Sequence, residues 1–157
     1  MACRANLVLA LRANSLARHG FLGRKAAKVI KHLNRMLFAC DIGIGARIDS
    51  SCRFPHLGLG CVISGNAVIE ADCCIFQNVT IGAANKGGIP DSGVPHIGRN
   101  VTVGAGAVLL GDIEIGDDSV IGANAVVTKP VPPPRCIVAG VPAKVIHRLE
   151  PNGGSDE

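Results

Sequence analysis

Between Ile97 and Val127 an aliphatic residue returns at every sixth position: Ile97, Val103, Leu109, Ile115, Ile121 and Val127. Four residues after each of the first five stands Val101, Ala107, Ile113, Ser119 or Ala125, and Gly or Ala often follows the aliphatic. Neither a 3.6-residue helical period nor a plain two-residue alternation generates this pattern. A hexad repeat instead specifies a solenoid, in which six residues form one flat side of a triangular coil and each coil stacks on the last. The aliphatic points inward, and the residue four later is small or slim enough for the corner, with Gly and Ala expected at the tight turns. Coils stacked roughly 4.8 Å apart pair their backbone groups with one another and bury a continuous aliphatic column. Such a core needs few aromatics, and this chain has four Phe and no Tyr or Trp.

The same spacing begins earlier, at Ile42, Ile48 and Phe54, falters over PHLGLGC (55–61), and resumes at Ile63, Ile69, Ile75 and Ile81. Residues 83–96, AANKGGIPDSGVPH, break it completely and are expected to project as a loop, the place where a solenoid gathers binding residues. Thirteen hexads at three sides each make about four coils, above the minimum of about three repeats for a stable array. After Val127 the prolines of TKPVPPPRC supply no ladder N–H groups, so the regular solenoid is expected to end there. Residues 137–149 read as a last short strand and 150–157 as a disordered tail. The organisation is thus a helical segment over 1–40, a solenoid over 41–149 and a short tail, within the size of a single domain.

Residues 1–40 hold eight of the 16 Lys and Arg and no acid, so a basic arm precedes a body carrying eight basic and 12 acidic groups. Leu16, Leu22, Ala26, Ile30, Leu33 and Leu37 fall near one helical face, with Gly20 and Gly23 expected to separate two helices. Such a segment covers the open end of the solenoid, lies on an anionic membrane surface, or does both. Nucleic acid is disfavoured, because no aromatic stacking residues accompany the charges. The seven cysteines form no C-x-x-C pair, and His19, His32, His56, His96 and His147 show no short-range pairing, so no metal is expected. Cys52 and Cys73 occupy small corner positions and read as buried thiols. With an apolar run over 7–11 too short for a signal peptide and none of membrane-spanning length, a cytoplasmic protein is expected.

The hexads, the broken turn with PH before GLGCVISGNAVIEADC, the loop after NVTIG, and the ending VPPPRCIVAGVPAKVI resemble serine acetyltransferases and the related acetyltransferases of exopolysaccharide synthesis, including the colanic-acid type. The resemblance covers about residues 35–147. It implies a left-handed parallel β-helix that assembles as a homotrimer, with acetyl-CoA in the groove between neighbouring prisms. Moving an acetyl group from a thioester to a hydroxyl needs a base, since a neutral alcohol is a poor nucleophile, and histidine titrates in the right range. His56, at the irregular early corner, aligns with the family's general base. Asp41, 15 residues upstream, stands where the family's Asp fixes the imidazole tautomer.

No side-chain nucleophile is called for: the acceptor is expected to attack the thioester directly, with backbone N–H groups near Gly82 and Ala83 stabilising the oxyanion. Small Ala105 and Ala123, one coil apart, would flank the pantetheine arm, and Lys129 and Lys144 would meet the nucleotide phosphates, with Arg135 and Arg148 nearby. The departures bear on the acceptor. Serine acetyltransferases usually carry Asp before the base, where this chain has Pro55, and a second His where it has Val94. His96 instead matches the PHIG of the exopolysaccharide enzymes, as an acceptor ligand or an ordinary loop residue. These features lean toward a saccharide hydroxyl as acceptor, with serine as the alternative. A non-enzymatic scaffold is a third reading, for which Thr80, Thr102 and Thr128 are too sparse to form a repeated binding face.

Overall fold

A computed structural model describes residues 5–86, 89–90, 93–132 and 135–148, with side chains for 9–84, 93–132 and 135–148. The tail at 150–157 lies outside the described residues. Two helices, α1 (Ala5–Ala17) and α2 (Gly20–Phe38), precede a left-handed parallel β-helix. Its first face stacks β1 (Asp41–Ile42), β3 (Val62–Ile63), β6 (Thr80–Gly82), β11 (Val108–Leu110) and β14 (Val126–Val127). The second stacks β2 (Arg47–Ile48), β4 (Val68–Ile69), β9 (His96–Ile97) and β12 (Glu114–Ile115). The third stacks β5 (Cys74–Ile75), β10 (Thr102–Val103), β13 (Val120–Ile121) and β15 (Cys136–Ala139), and ends in antiparallel β16 (Lys144–Arg148).

Pairing offsets record where the chain departs from regularity. Val108 pairs with Val126 and Thr102 with Val120, 18 residues apart, which is three hexads per coil. Asp41 pairs with Val62 at an offset of 21, so the corner containing His56 holds three extra residues. Thr80 pairs with Val108 at 28, so ten extra residues leave the coil between Gly82 and His96. Within that excursion the backbone forms a small hairpin of β7 (Asn85–Lys86) and β8 (Ile89–Pro90).

The thirteen hexad residues, twelve aliphatics and Phe54, are buried, none more than 7% exposed, and among the described residues those four later, from Ala46 and Cys52 to Ser119 and Ala125, are buried with them. Each residue four later is thus a second inward position. Cys52 and Cys73 are both buried; the hydrogen bond to Cys52 and burial push the Cys73 thiol up from its ordinary pKa. The sharp turns fall elsewhere, on the third residue after the aliphatic. Asp72, Asn78, Asn100, Asp118 and Asn124 adopt φ of 53–64° there, and Gly45 and Gly106 take the same place. Asn and Asp tolerate this left-handed region because their short polar side chains hydrogen-bond locally.

The coil also continues past the prolines, against the expectation that it ends at Val127. Val131, between Pro130 and Pro132, keeps its N–H and donates it to Glu114 at 2.8 Å, while its carbonyl accepts from Gly116 at 2.9 Å. β15 then stacks on β13, with Val120 against Ile137. Pro130 and Pro132 therefore flank the ladder position that Val131 fills and leave its N–H free to donate.

At the other end the helices cover the open coil through small residues. Ala10 and Ala13 of α1 and Gly23 and Ala27 of α2 are buried, and a Cβ at Gly23 would run into the Leu16 carbonyl. The break between the helices falls at Arg18 and His19, with Gly20 at φ +74° and Gly23 inside α2. Leu22, Leu33 and Leu37, which fall near one helical face, are exposed, because close approach selects the small side of α2.

Candidate active site

The three faces meet at three edges, and the fold sorts the sequence-derived candidates among them. His56 lies on the edge between the third and first faces, in the 3-10 turn Pro55–Gly58 that joins the first coil to the second. His56 (φ 53°, ψ 34°) and Leu57 (φ 59°, ψ 16°) are both left-handed, followed by Gly58 at φ 59°. Two consecutive non-glycine residues in this region store backbone strain, which concentrates at functional positions. The turn is held by the Leu59 N–H donating to the His56 carbonyl at 3.3 Å and the Asn78 N–H donating to Leu59 at 2.8 Å. The imidazole is presented to solvent.

Asp41 opens the first face beneath that same corner, its N–H donating to the Cys61 carbonyl at 2.8 Å. In the single chain its half-buried carboxylate is met from α2: Lys31 Nζ lies 2.8 Å from Oδ1 and Arg35 Nη1 3.7 Å from Oδ2. The Oδ1 contact is a charge contact without an aligned hydrogen bond, since this buried oxygen has no hydrogen-bond partner. The sequence alone does not single out Lys31 and Arg35, although two cations four apart share one face of a helix and stand near its C-terminus, where β1 begins.

Ala105 and Ala123 lie on the edge that carries His56, stacked through the Asn124 N–H on the Ala105 carbonyl at 2.8 Å. Above them, Lys144 is registered against Ala139, whose Cβ would be 3.1 Å from a Cβ at Gly122. Lys144 therefore extends the same edge toward the solenoid end. Gly82 and Ala83 lie on a different edge, between the first and second faces, as does Lys129 beyond β14. Among the described residues a Cβ at Gly82 would meet only Leu110 Cδ2, at 3.9 Å.

His96 starts the second face beside that edge. Its Nε2 is 3.2 Å from Glu70 Oε1, both side chains about half exposed, and Glu114 is its register neighbour. The pair sits at the rim of a groove of about 710 Å³ between α1 and the second face, which Arg18, Arg47 and Asp49 also line. No group of three or more His, Cys, Asp or Glu among the described residues could hold a metal ion. His56 with Ala105, Ala123 and Lys144, and His96 with Gly82, Ala83 and Lys129, thus occupy two separate edges of one prism.

Residues 95–129 match the family described as Bacterial transferase hexapeptide (six repeats). The chain is 41% identical over 123 residues to a serine acetyltransferase of Synechococcus elongatus, covering 77% of this chain and 48% of that protein. It is 41% identical over 131 residues to the serine acetyltransferase of Mycobacterium tuberculosis, covering 83% and 56%. Among solved structures, Brucella abortus serine acetyltransferase in complex with coenzyme A superposes with TM-score 0.83 at 33% identity, over 92% of this chain and 55% of that one. A serine acetyltransferase complex with cysteine gives 0.83 at 32%, over 92% and 54%. The chain spans about half the length of the curated relatives it matches. These relatives support the serine acetyltransferase side of the resemblance and not its exopolysaccharide side.

Proposed function

We propose that this chain, a homologue of the serine acetyltransferases built on the bacterial transferase hexapeptide repeat, is an acetyl-CoA-dependent O-acetyltransferase whose acceptor is the hydroxyl of serine. The similarity to serine acetyltransferases, 41% over 123 residues, carries the acceptor assignment. A structural relative in complex with coenzyme A supports the donor, and one in complex with cysteine supports an amino acid as the second ligand. This reverses the leaning toward a saccharide. That second reading rests on Val94, where the family's second histidine would stand, and on His96 being paired with Glu70 instead.

His56 is the general base. It takes the proton of the acceptor hydroxyl as the oxygen attacks the thioester carbonyl carbon, and the resulting imidazolium returns that proton to the departing coenzyme A thiolate. Asp41 lies under the same corner; its carboxylate, met by Lys31 and Arg35 in the single chain, stabilises the imidazolium once it turns to His56. The backbone near Gly82 and Ala83 stabilises the tetrahedral oxyanion. Ala105 and Ala123 leave a shallow track for pantetheine, and Lys144 and Lys129 meet the phosphates.

Because these groups lie on two edges of one prism, the complete site joins the His56 edge of one copy to the Gly82 edge of the next. A cyclic homotrimer about the first face makes that junction, as a ring of heterologous contacts closes. Its outward ladder of Val62, Thr80, Val108 and Val126 is largely apolar, and Val62 is 47% exposed in the single chain. The test is thiol release from acetyl-CoA with L-serine and with sugar acceptors. L-Serine is expected to support turnover and His56→Ala to lose at least about a hundredfold. Turnover with sugars alone would overturn the serine assignment, and an undiminished His56→Ala rate would remove the base.

A further inference from the structure

α2 keeps its bulky residues in water. Leu22 (82% exposed), Val29 (67%), Leu33 (45%), Met36 (83%) and Leu37 (59%) form one continuous stripe, because they recur at intervals of three, four and seven residues along the helix. The adjoining side, about a third of a turn round the helix, carries the buried Gly23, Ala27 and Asn34. The helix is therefore doubly committed: small residues bind it to α1 and the solenoid, and a row of large apolar residues faces outward.

The charges beside the stripe identify what that row meets. Lys25 and Lys28 are exposed along its flank, and Lys25 Nζ sits 4.5 Å from the centroid of the exposed Phe21 ring. Residues 1–40 contain no Asp or Glu. Pairing the stripe with its counterpart on a second copy would set like charges against each other, whereas an anionic lipid surface accepts both the apolar row and the cations. At 19 residues the helix is about 28 Å long, and among the described residues no helix is long and apolar enough to cross a membrane. It suits lying in the interface and not spanning it.

We infer that α2 docks this protein on anionic lipid headgroups, with Leu22, Val29, Leu33 and Met36 entering the acyl boundary and Lys25 and Lys28 meeting lipid phosphates. The surface is separate from His56 and from the Gly82 edge, so docking does not depend on the acceptor.

The test is co-sedimentation of the full chain with vesicles of phosphatidylcholine alone or mixed with phosphatidylglycerol, at low and high salt. Binding to the mixed vesicles at low salt, at least about tenfold tighter than to phosphatidylcholine, is expected. Leu33→Glu with Met36→Glu is expected to abolish it, and Lys25→Glu with Lys28→Glu to weaken it at least about tenfold, with circular dichroism and assembly mass unchanged. Absence of binding to mixed vesicles by the wild-type chain would overturn the inference. So would a fall in assembly mass on introducing Leu33→Glu and Met36→Glu, which would make the stripe a contact between copies.

Discussion

Ser119 is the one position on the edge between the second and third faces where the inward column turns polar. Cys52, Cys73, Val101, Ser119 and Cys136 stack there one coil above another, all fully buried. The Ser119 hydroxyl has no hydrogen-bond partner, although its backbone carbonyl accepts from Thr102 at 3.0 Å. A buried hydroxyl left without a partner costs about 1–3 kcal/mol relative to an apolar group. Ser119→Ala removes that cost and loses the contacts of one atom, each pair contributing about 0.1–0.2 kcal/mol, so the net gain is about 1 kcal/mol. For a chain of this length, that raises the melting temperature by about 2–4 °C. Ser119→Cys, which restores the volume with the residue found one coil above at Cys136 and two coils below at Cys73, is expected to do at least as well. The assay is thermal unfolding followed by circular dichroism at fixed protein concentration, since assembly also moves the midpoint. A lowered midpoint in both variants would show that the hydroxyl is satisfied and that the inward column is not purely apolar.

Asn124→Val places a β-branched residue at φ 57° and is expected to destabilise by about 1–2 kcal/mol, while Asn124→Gly stays close to wild type; equal losses in thermal melts would refute the corner argument. Asp49 is held below its ordinary pKa of 3.8 by the Ser51 backbone N–H and hydroxyl. Because the folded pKa is the lower one, that stabilisation is present above the ordinary value and is lost as pH falls through the depressed one. Ser51→Ala should therefore lower stability at neutral pH and leave it closer to wild type in acid; a deficit that grows on acidification would contradict this.

The period of six was legible because burial imposes it: Ile63, Ile75 and Leu109 are inward for the same reason that they recur. The two interruptions were legible too, and the offsets of 21 and 28 residues place them at His56 and between Gly82 and His96. The turning residues were less visible, since Asn and Asp at every sixth position look like surface polarity until their backbone angles are known. Proline misled after Val127, because composition alone does not say which N–H groups a ladder uses, and Val131 kept the one that mattered. The pattern of α2 grouped Leu22, Leu33 and Leu37 on one face without saying what that face meets, and close approach chose Gly23 and Ala27 for the packed side. Of the candidate site, residue types and spacing were readable, but their division between two edges depends on the coil count and on the extra residues at each interruption. The clasp of Lys31 and Arg35 on Asp41 joins a helix to a strand, and no local pattern encodes it.

The central claim is that one active site is assembled from the His56 edge of one copy and the Gly82 edge of its neighbour. Two inactive variants test it when co-expressed: His56→Ala, and Gly82→Trp, whose folding and assembly are checked by circular dichroism and assembly mass, since a Cβ there meets only Leu110 Cδ2 among the described residues. Each alone is expected to be inactive in thiol release from acetyl-CoA with L-serine. In mixed assemblies about a quarter of the sites combine an intact His56 edge with an intact Gly82 edge, so activity should return to about a quarter of wild type. Mixed assemblies that stay as inactive as their parents would contradict the shared site.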